Sequence, residues 1–292
     1  MRPVPELPEI ETVRRVVCPQ IAGARIVSVS VGREKIVGHP SVDEFVRKLE
    51  GRTVVSDGRR GKALIIGLDR GRLIVRFGMT GQLIVVPAGY PPEKHTHVTL
   101  RLEDGREVWY IDPRMFGKVW YIDEGEEDTY SGIGHLGIEP DDPAMDWRFL
   151  KKKLGGRSLT IKEALLDQSV VAGIGNIWSD EILFRCKVCP ETPCSSVTDA
   201  KWKLLAKTIP EVMEFGIEKN AITPGEYLEG KGRKYYDIYY LEAYGHEGDP
   251  CTRCGRPMVR TVIGGRSSYW CPRCQRRPRS ATEPKRFLSD KG

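Results

Sequence analysis

The stretch 251–274, CTRCGRPMVRTVIGGRSSYWCPRC, decides how the rest of the chain is read. Two C-x2-C pairs stand sixteen residues apart in it. Each pair sets two thiolates on one side of a tight turn, and two such turns facing each other offer four sulfurs to a tetrahedral zinc ion. Between them, Val259, Val262 and Ile263 precede a Gly264-Gly265 turn and Tyr269 follows it, the pattern of a β-hairpin. The expected unit is a C-terminal finger in which Cys251, Cys254, Cys271 and Cys274 hold one structural zinc ion, with no position open for chemistry. So small a unit has little core of its own and depends on its metal.

The positive charge lies in the same place. The chain carries 46 Lys+Arg against 40 Asp+Glu, net +6, yet residues 251–292 alone hold eleven basic residues and two acids. The first 250 residues are therefore slightly acidic. Such a segment reads either as a solvated tail or as a contact for an anionic partner, most often nucleic acid.

Working outward, 292 residues are too many for one ordinary core, so two or three units are expected. A hydrophobic content of 40% with 29% charged residues excludes a disordered or fibrous chain. No apolar run approaches the ~18–20 residues of a membrane span, and the N-terminus lacks a basic-then-apolar signal pattern. The expectation is a cytosolic protein without disulfides. Cys186, Cys189 and Cys194 form a second cluster, but no fourth ligand is evident and they read as semi-buried thiols.

Residues 9–22 have the apolar spacing of an amphipathic helix. Short strand-like runs follow at 26–31, 53–55, 63–68, 73–77, 83–86, 97–102, 107–111 and 119–122, interrupted by a helix at 42–49. Many short strands at close spacing indicate a sandwich or barrel over 1–125. An acidic, Gly- and Pro-rich linker covers 126–144, and the period then becomes helical, with candidates at 147–154, 160–166, 177–184 and 200–218. The expected fold is α+β and multidomain: an N-terminal two-layer β-sandwich with flanking helices, a helical domain over 145–225, a loop region over 226–243, the finger over 244–280 and a basic tail over 281–292.

Three places invite chemistry. The Gly-rich turn Ala172-Gly173-Ile174-Gly175 feeds a helix at Asn176, and backbone N–H groups there would suit a phosphate; they are equally read as loop glycines between packed helices. Lys62 tips a predicted hairpin, either near an active site or for solubility. Arg114 and Phe116 share a loop, where they act together in displacing a base or merely cap the sheet. The opening, with three prolines in eight residues, reads as a stiff extension.

Together these segments resemble the formamidopyrimidine-DNA glycosylase/endonuclease VIII family. The resemblance rests on P-E-L-P-E-I-E-T at 5–12, R-R-G-K at 59–62, G-M-T-G at 78–81, K-H-T-H at 94–97 and D-P-R-M-F-G at 112–117. L-G-I-E-P at 136–140, D-Q-S-V-V-A-G-I-G-N-I at 167–177, Y-G-H-E-G-D-P-C-T-R-C-G at 244–255 and R-S-S-Y-W-C-P-R-C-Q at 266–275 complete it. It implies a β-sandwich, a helix–two-turn–helix domain and a zinc finger, with damaged double-stranded DNA in the cleft between them. The implied activity is that of a bifunctional glycosylase/AP lyase that excises oxidised purines and nicks the abasic strand by β,δ-elimination. The implied enzyme is a monomer in the cytoplasm at the nucleoid, with no membrane association and no small-molecule cofactor.

By the same resemblance Pro5 is the nucleophile, whose secondary amine forms a Schiff base with the sugar C1′. Glu6 is the general acid/base. Lys62 contacts phosphate and assists elimination. Met79, Arg114 and Phe116 fill the gap left by the flipped nucleotide. His95, Arg114, Arg157 and Asn176 bind DNA, and Arg266 binds phosphate and donates the proton for δ-elimination. Four residues precede Pro5, however, and with Val4 attached its nitrogen is an amide with no available lone pair. The expectation is that Met1-Arg2-Pro3 is a mis-assigned start, with Val4 read as the initiator and removed.

The stretch 229–240, EGKGRKYYDIYY, is rich in tyrosine and lysine where the family has small residues, and His246 stands at a usually more basic position. Both departures keep open an endonuclease VIII-like preference for oxidised pyrimidines. A non-catalytic damaged-DNA-binding member and a zinc-ribbon transcription or translation factor are the other readings; the last leaves Pro5-Glu6 unexplained.

Overall fold

A buried helix joins the two halves of the molecule. The computed structural model describes residues 4–232 and 239–277; the initial Met1-Arg2-Pro3, the middle of the tyrosine-rich loop and the basic tail lie outside the described residues. Helix α1 (Leu7–Ile21) places Ile10, Val13, Val16 and Val17 in the sandwich core and Leu7 in the helical-domain core. The opening is thus no extension. Pro8 lies in the first helical turn, where a missing N–H and a fixed φ cost nothing.

The N-terminal domain has two sheets. Its strands are β1 (Ile26–Val31), β2 (Val37–His39), β3 (Val54–Arg60), β4 (Ala63–Leu68), β5 (Arg72–Arg76), β6 (Gln82–Val86), β7 (Thr96–Leu102), β8 (Glu107–Ile111) and β9 (Lys118–Ile122). One sheet runs β1-β7-β8-β6, the other β2-β9-β5-β4-β3, antiparallel except for the β2–β9 pair. Inward side chains of both sheets share one apolar core, which Phe45 and Leu49 of α2 (Val42–Leu49) also enter. The expected two-layer sandwich is present. The three-residue β2 was not anticipated, being too short to show alternation.

The helical domain comprises α3 (Trp147–Leu154), α4 (Ile161–Leu165), α5 (Asn176–Arg185) and α6 (Asp199–Lys219). Cys186, Cys189 and Cys194 are buried free thiols here, and no metal-ligating cluster forms around them among the described residues. A further helix, α7 (Pro224–Glu229), replaces the start of the expected loop region. Its Tyr227 is buried in the sandwich core and donates to the Leu83 carbonyl at 3.0 Å. The finger closes the fold with β10 (Val259–Ile263) and β11 (Arg266–Trp270). Gly264 and Gly265 both have positive φ, +55° and +75°, as the tight turn between them demands.

The two domains meet at the β3–β4 hairpin. Arg59, Arg60 and the Gly61 N–H all donate to the Glu139 carboxylate, at 2.5, 2.7 and 2.7 Å. Arg60 also donates to the Leu136 carbonyl at 2.8 Å. The linker is therefore fastened to the hairpin that carries Lys62.

Candidate nucleic-acid interface and active site

Glu6 is 2% exposed and sits at the N-terminus of α5. Its carboxylate accepts the N–H of Ile177 at 2.9 Å and of Trp178 at 3.3 Å. These are two of the free donors of the first helical turn, at the positive end of the helix dipole. The approach is possible only because residue 175 is glycine: a Cβ there would lie 2.1 Å from the Glu6 carboxyl carbon. Of the N–H groups at this helix start, those of Ile177 and Trp178 are therefore held by Glu6 rather than left for a phosphate. Burial pushes the Glu6 carboxyl above its usual range, opposed by Lys62 and by the two N–H groups.

Glu9 lies behind it. It accepts the Glu6 N–H at 2.8 Å, the Asn220 amide at 3.0 Å and the Trp178 indole N–H at 3.3 Å. Burial, then the nearby Glu6 carboxylate, push Glu9 up to about 7. Lys62 faces this pair, and burial pulls its ammonium down while both glutamates hold it up.

Glu6, Lys62, Met79, Asn176 and Arg266 line one cleft of about 530 Å³ between the domains, so five of the expected site residues converge. Tyr244 and Gln168 line it too. Val4 also lines it, while Pro5 is buried. Asn176 donates its amide to the Ser267 carbonyl at 3.0 Å, tying α5 to the finger hairpin.

Arg114 and Phe116 are not among the residues lining this cleft; they share one exposed loop, the guanidinium 4.7 Å from the ring centre, a cation–π contact. Phe116 is 58% exposed, unusual for so large an apolar group and the mark of a surface awaiting contact. Buried Asp112 organises the loop by accepting the N–H of Arg114 at 3.2 Å and of Gly117 at 2.8 Å, and the Thr80 hydroxyl. Thr80 follows Met79, and a Cβ on Gly78 would come within 2.6 Å of the Phe116 carbonyl carbon. The turn of Met79 thus rests on the loop of Arg114 and Phe116. His95 is exposed beside them with φ +70°, its carbonyl accepting the Asp112 N–H at 3.1 Å. Arg157 stands apart from the cleft lining, paired with Asp167.

At the finger, the four sulfurs of Cys251, Cys254, Cys271 and Cys274 lie within 4.8 Å of one another. The pairs Cys251–Cys274 and Cys254–Cys271 stand 4.0 and 3.5 Å apart. Zinc–sulfur bonds of about 2.3 Å in a tetrahedron require sulfurs about 3.8 Å apart, so the donor set fits zinc.

Three family models match the chain in order: the formamidopyrimidine-DNA glycosylase N-terminal domain at 4–119, the formamidopyrimidine-DNA glycosylase H2TH domain at 136–226, and the zinc finger found in FPG and IleRS at 248–277. A protein of Pelotomaculum thermopropionicum named formamidopyrimidine-DNA glycosylase is 38% identical, over 94% of this chain and 99% of its own. One of the same name from Methylococcus capsulatus is 39% identical over 94% and 100%. The chain belongs to the formamidopyrimidine-DNA glycosylase family. Among solved structures, Lactococcus lactis Fpg (MutM) with DNA containing N7-benzyl-Fapy-dG superposes with a TM-score of 0.83 at 30% identity, covering 94% of this chain and all of that one. The same protein with DNA containing an oxidised pyrimidine gives 0.83 at 31%, over 94% and 100%.

Within this family member, the sequence reading passed over Glu9, Asp112, Asp180, Gln168 and Glu139. Gln168 spans the Gly-rich turn, accepting the Gly173 N–H at 2.9 Å and donating to the Ile174 carbonyl at 2.7 Å. None of these carries a spacing that announces a role; each acts through partners distant in sequence or through backbone atoms.

Proposed function

We propose that the chain is a bifunctional DNA glycosylase and AP lyase of base excision repair that removes oxidised purines, 8-oxoguanine and formamidopyrimidines, from double-stranded DNA. The observation that carries this reading is the buried Glu6 carboxyl beside Lys62 in a cleft that Arg266 completes from the finger. Burial raises the Glu6 carboxyl above its ordinary range, the direction a general acid needs. The Pro5 amine bonds to C1′ as the C1′–base bond breaks and the base takes up a proton; Glu6 then protonates O4′ as the C1′–O4′ bond opens, leaving an iminium between Pro5 and C1′. The iminium acidifies C2′; loss of that proton breaks the bond from C3′ to its phosphate oxygen, and a second elimination breaks the bond at C5′. Lys62, His95, Arg157 and Asn176 contact phosphate, and Arg266 serves the second elimination. Met79, Arg114 and Phe116, brought together by Asp112, occupy the space the flipped nucleotide leaves. The finger residues hold zinc, which supplies structure and takes no part in the chemistry.

Attack by Pro5 requires its amine to be free, whereas Val4 lies in the cleft over a buried Pro5. The reactive form therefore begins at Pro5, as a monomer acting on nucleoid DNA in the cytoplasm. No helix among the described residues is long and apolar enough to cross a membrane. Borohydride trapping on an 8-oxoguanine:C duplex, with intact mass of the natively expressed protein, tests this. A covalent adduct from a chain starting at Pro5 is expected; no adduct, with residues 1–4 retained, makes the protein a damaged-DNA binder instead.

The second reading, pyrimidine lesions, is favoured by the tyrosine-rich loop and by the relative solved with an oxidised pyrimidine. Faster excision of thymine glycol than of 8-oxoguanine would replace the purine assignment.

A further inference from the structure

One buried charge pair lies outside the cleft lining. Lys162 of α4 and Asp180 of α5 are both fully buried, with Nζ 2.7 Å from Oδ1. Burying two charges costs several kcal/mol each unless every polar atom is engaged. Here the engagement reaches three segments. Lys162 also donates to the Asn176 carbonyl at 2.8 Å, in the first turn of α5. Asp180 accepts the Ser268 hydroxyl at 2.6 Å on Oδ1 and the Tyr269 N–H at 3.0 Å on Oδ2, both from β11.

We propose that Asp180 is a positioning residue for Arg266, fixing the finger strand against the helix end that Glu6 caps. Side chains alternate along a strand, so Ser268 and Arg266 project from the same face of β11. Ser268 is buried on Asp180, while Arg266 is exposed and lines the cleft. The anchored residue and the cleft residue are two positions apart on one rigid hairpin. The same helix turn presents Ile177 and Trp178 to Glu6. Asp180, together with the Asn176–Ser267 bond, therefore sets the distance between the two walls that the reaction uses. Asp180 itself touches no substrate.

This inference rests on the lyase reading above, in which Arg266 serves the second elimination. Its test compares β- and δ-elimination on an abasic duplex for Ser268→Ala, Ser268→Thr and the double variant Lys162→Met/Asp180→Asn, with zinc content and thermal midpoint checked. The double variant removes both buried charges together. Ser268→Ala leaves the ion pair intact and covers the case in which the double variant does not fold. In Ser268→Ala and the double variant, the trapped adduct should form within about twofold of the wild-type rate while δ-elimination slows about tenfold or more, because a small displacement of a working group costs that much. The unsaturated aldehyde end then accumulates over the 3′-phosphate, and Ser268→Thr, which keeps the hydroxyl, restores the wild-type ratio. An unchanged ratio in Ser268→Ala, or equal loss of trapping and of δ-elimination, overturns the proposal. A wild-type protein that neither traps nor nicks overturns the lyase reading itself, and is thereby told apart from failure of the positioning role alone.

Discussion

The Glu6 carboxylate meets the Ile177 N–H at 2.9 Å across 171 positions of sequence. On the proposed reading of Glu6 as general acid, the contact joins the start of α5 to that carboxyl, and residue 175 is the gate to it. Gly175→Ala puts a methyl group 2.1 Å from the Glu6 carboxyl carbon, so the carboxylate must move. Gly175 has φ −124°, which alanine adopts freely, so the effect is steric alone. Single-turnover excision of 8-oxoguanine should fall about 100-fold. Affinity for the same duplex, read by anisotropy, should stay within a few-fold.

Glu9 makes folding stability depend on pH. Its carboxyl titrates at about 7 in the folded chain, against 4.5 as the ordinary value. The folded state thus holds a proton that the unfolded chain releases between those values. Stability is full below pH 4.5, falls as pH rises and levels off above about 7; the gap corresponds to roughly 3 kcal/mol. Glu6, raised in the same direction, adds to the slope. Urea midpoints from pH 5 to 8 should decline for the wild type and more shallowly for Glu9→Gln. Parallel curves would remove Glu9 as the source.

Asp112 should matter more than its distance from the chemistry suggests. Asp112→Ala leaves the N–H of Gly117 without its partner, costing about 1–3 kcal/mol in a thermal or urea melt. It also frees the loop of Arg114 and Phe116, so excision should slow more than for Phe116→Ala. Phe116 is already exposed, and its truncation should leave the melt unchanged. Both are read by excision kinetics beside thermal midpoints.

Zinc removal should unhinge one wall of the cleft. The finger's own core is small: Cys251, Met258 and Cys271, packed with Ala243 against Phe184 of α5. Cys274→Ser, or a strong chelator, should lower the zinc content from one per chain and weaken DNA binding about tenfold or more, while helical circular dichroism is largely kept. Retained affinity after metal loss would show that the finger holds DNA without it.

The parts of this molecule that were legible in sequence are those set by local repetition. Cysteine spacing marked the finger, and short apolar runs set off by turn residues marked the strands, because both patterns are written within a few residues. Glu9, Asp112 and Asp180 were not legible, since a buried acid looks in sequence like any solvated one until its partners, such as Asn220 or Ser268, are brought to it. The carboxylate at the turn before Asn176 was not legible for the same reason: it arrives from the other end of the chain. Pro8 did not announce a helix start because proline is at home in a first helical turn as well as in an extended segment.

The knot of Arg59, Arg60 and Gly61 on Glu139 has a mechanical meaning. The hairpin that carries Lys62 and the strap that leads into the helical domain are one piece, so Lys62 keeps its place relative to that strap. Like the spine of a book, Glu139 binds the leaf that bears Lys62 to the strap beside it.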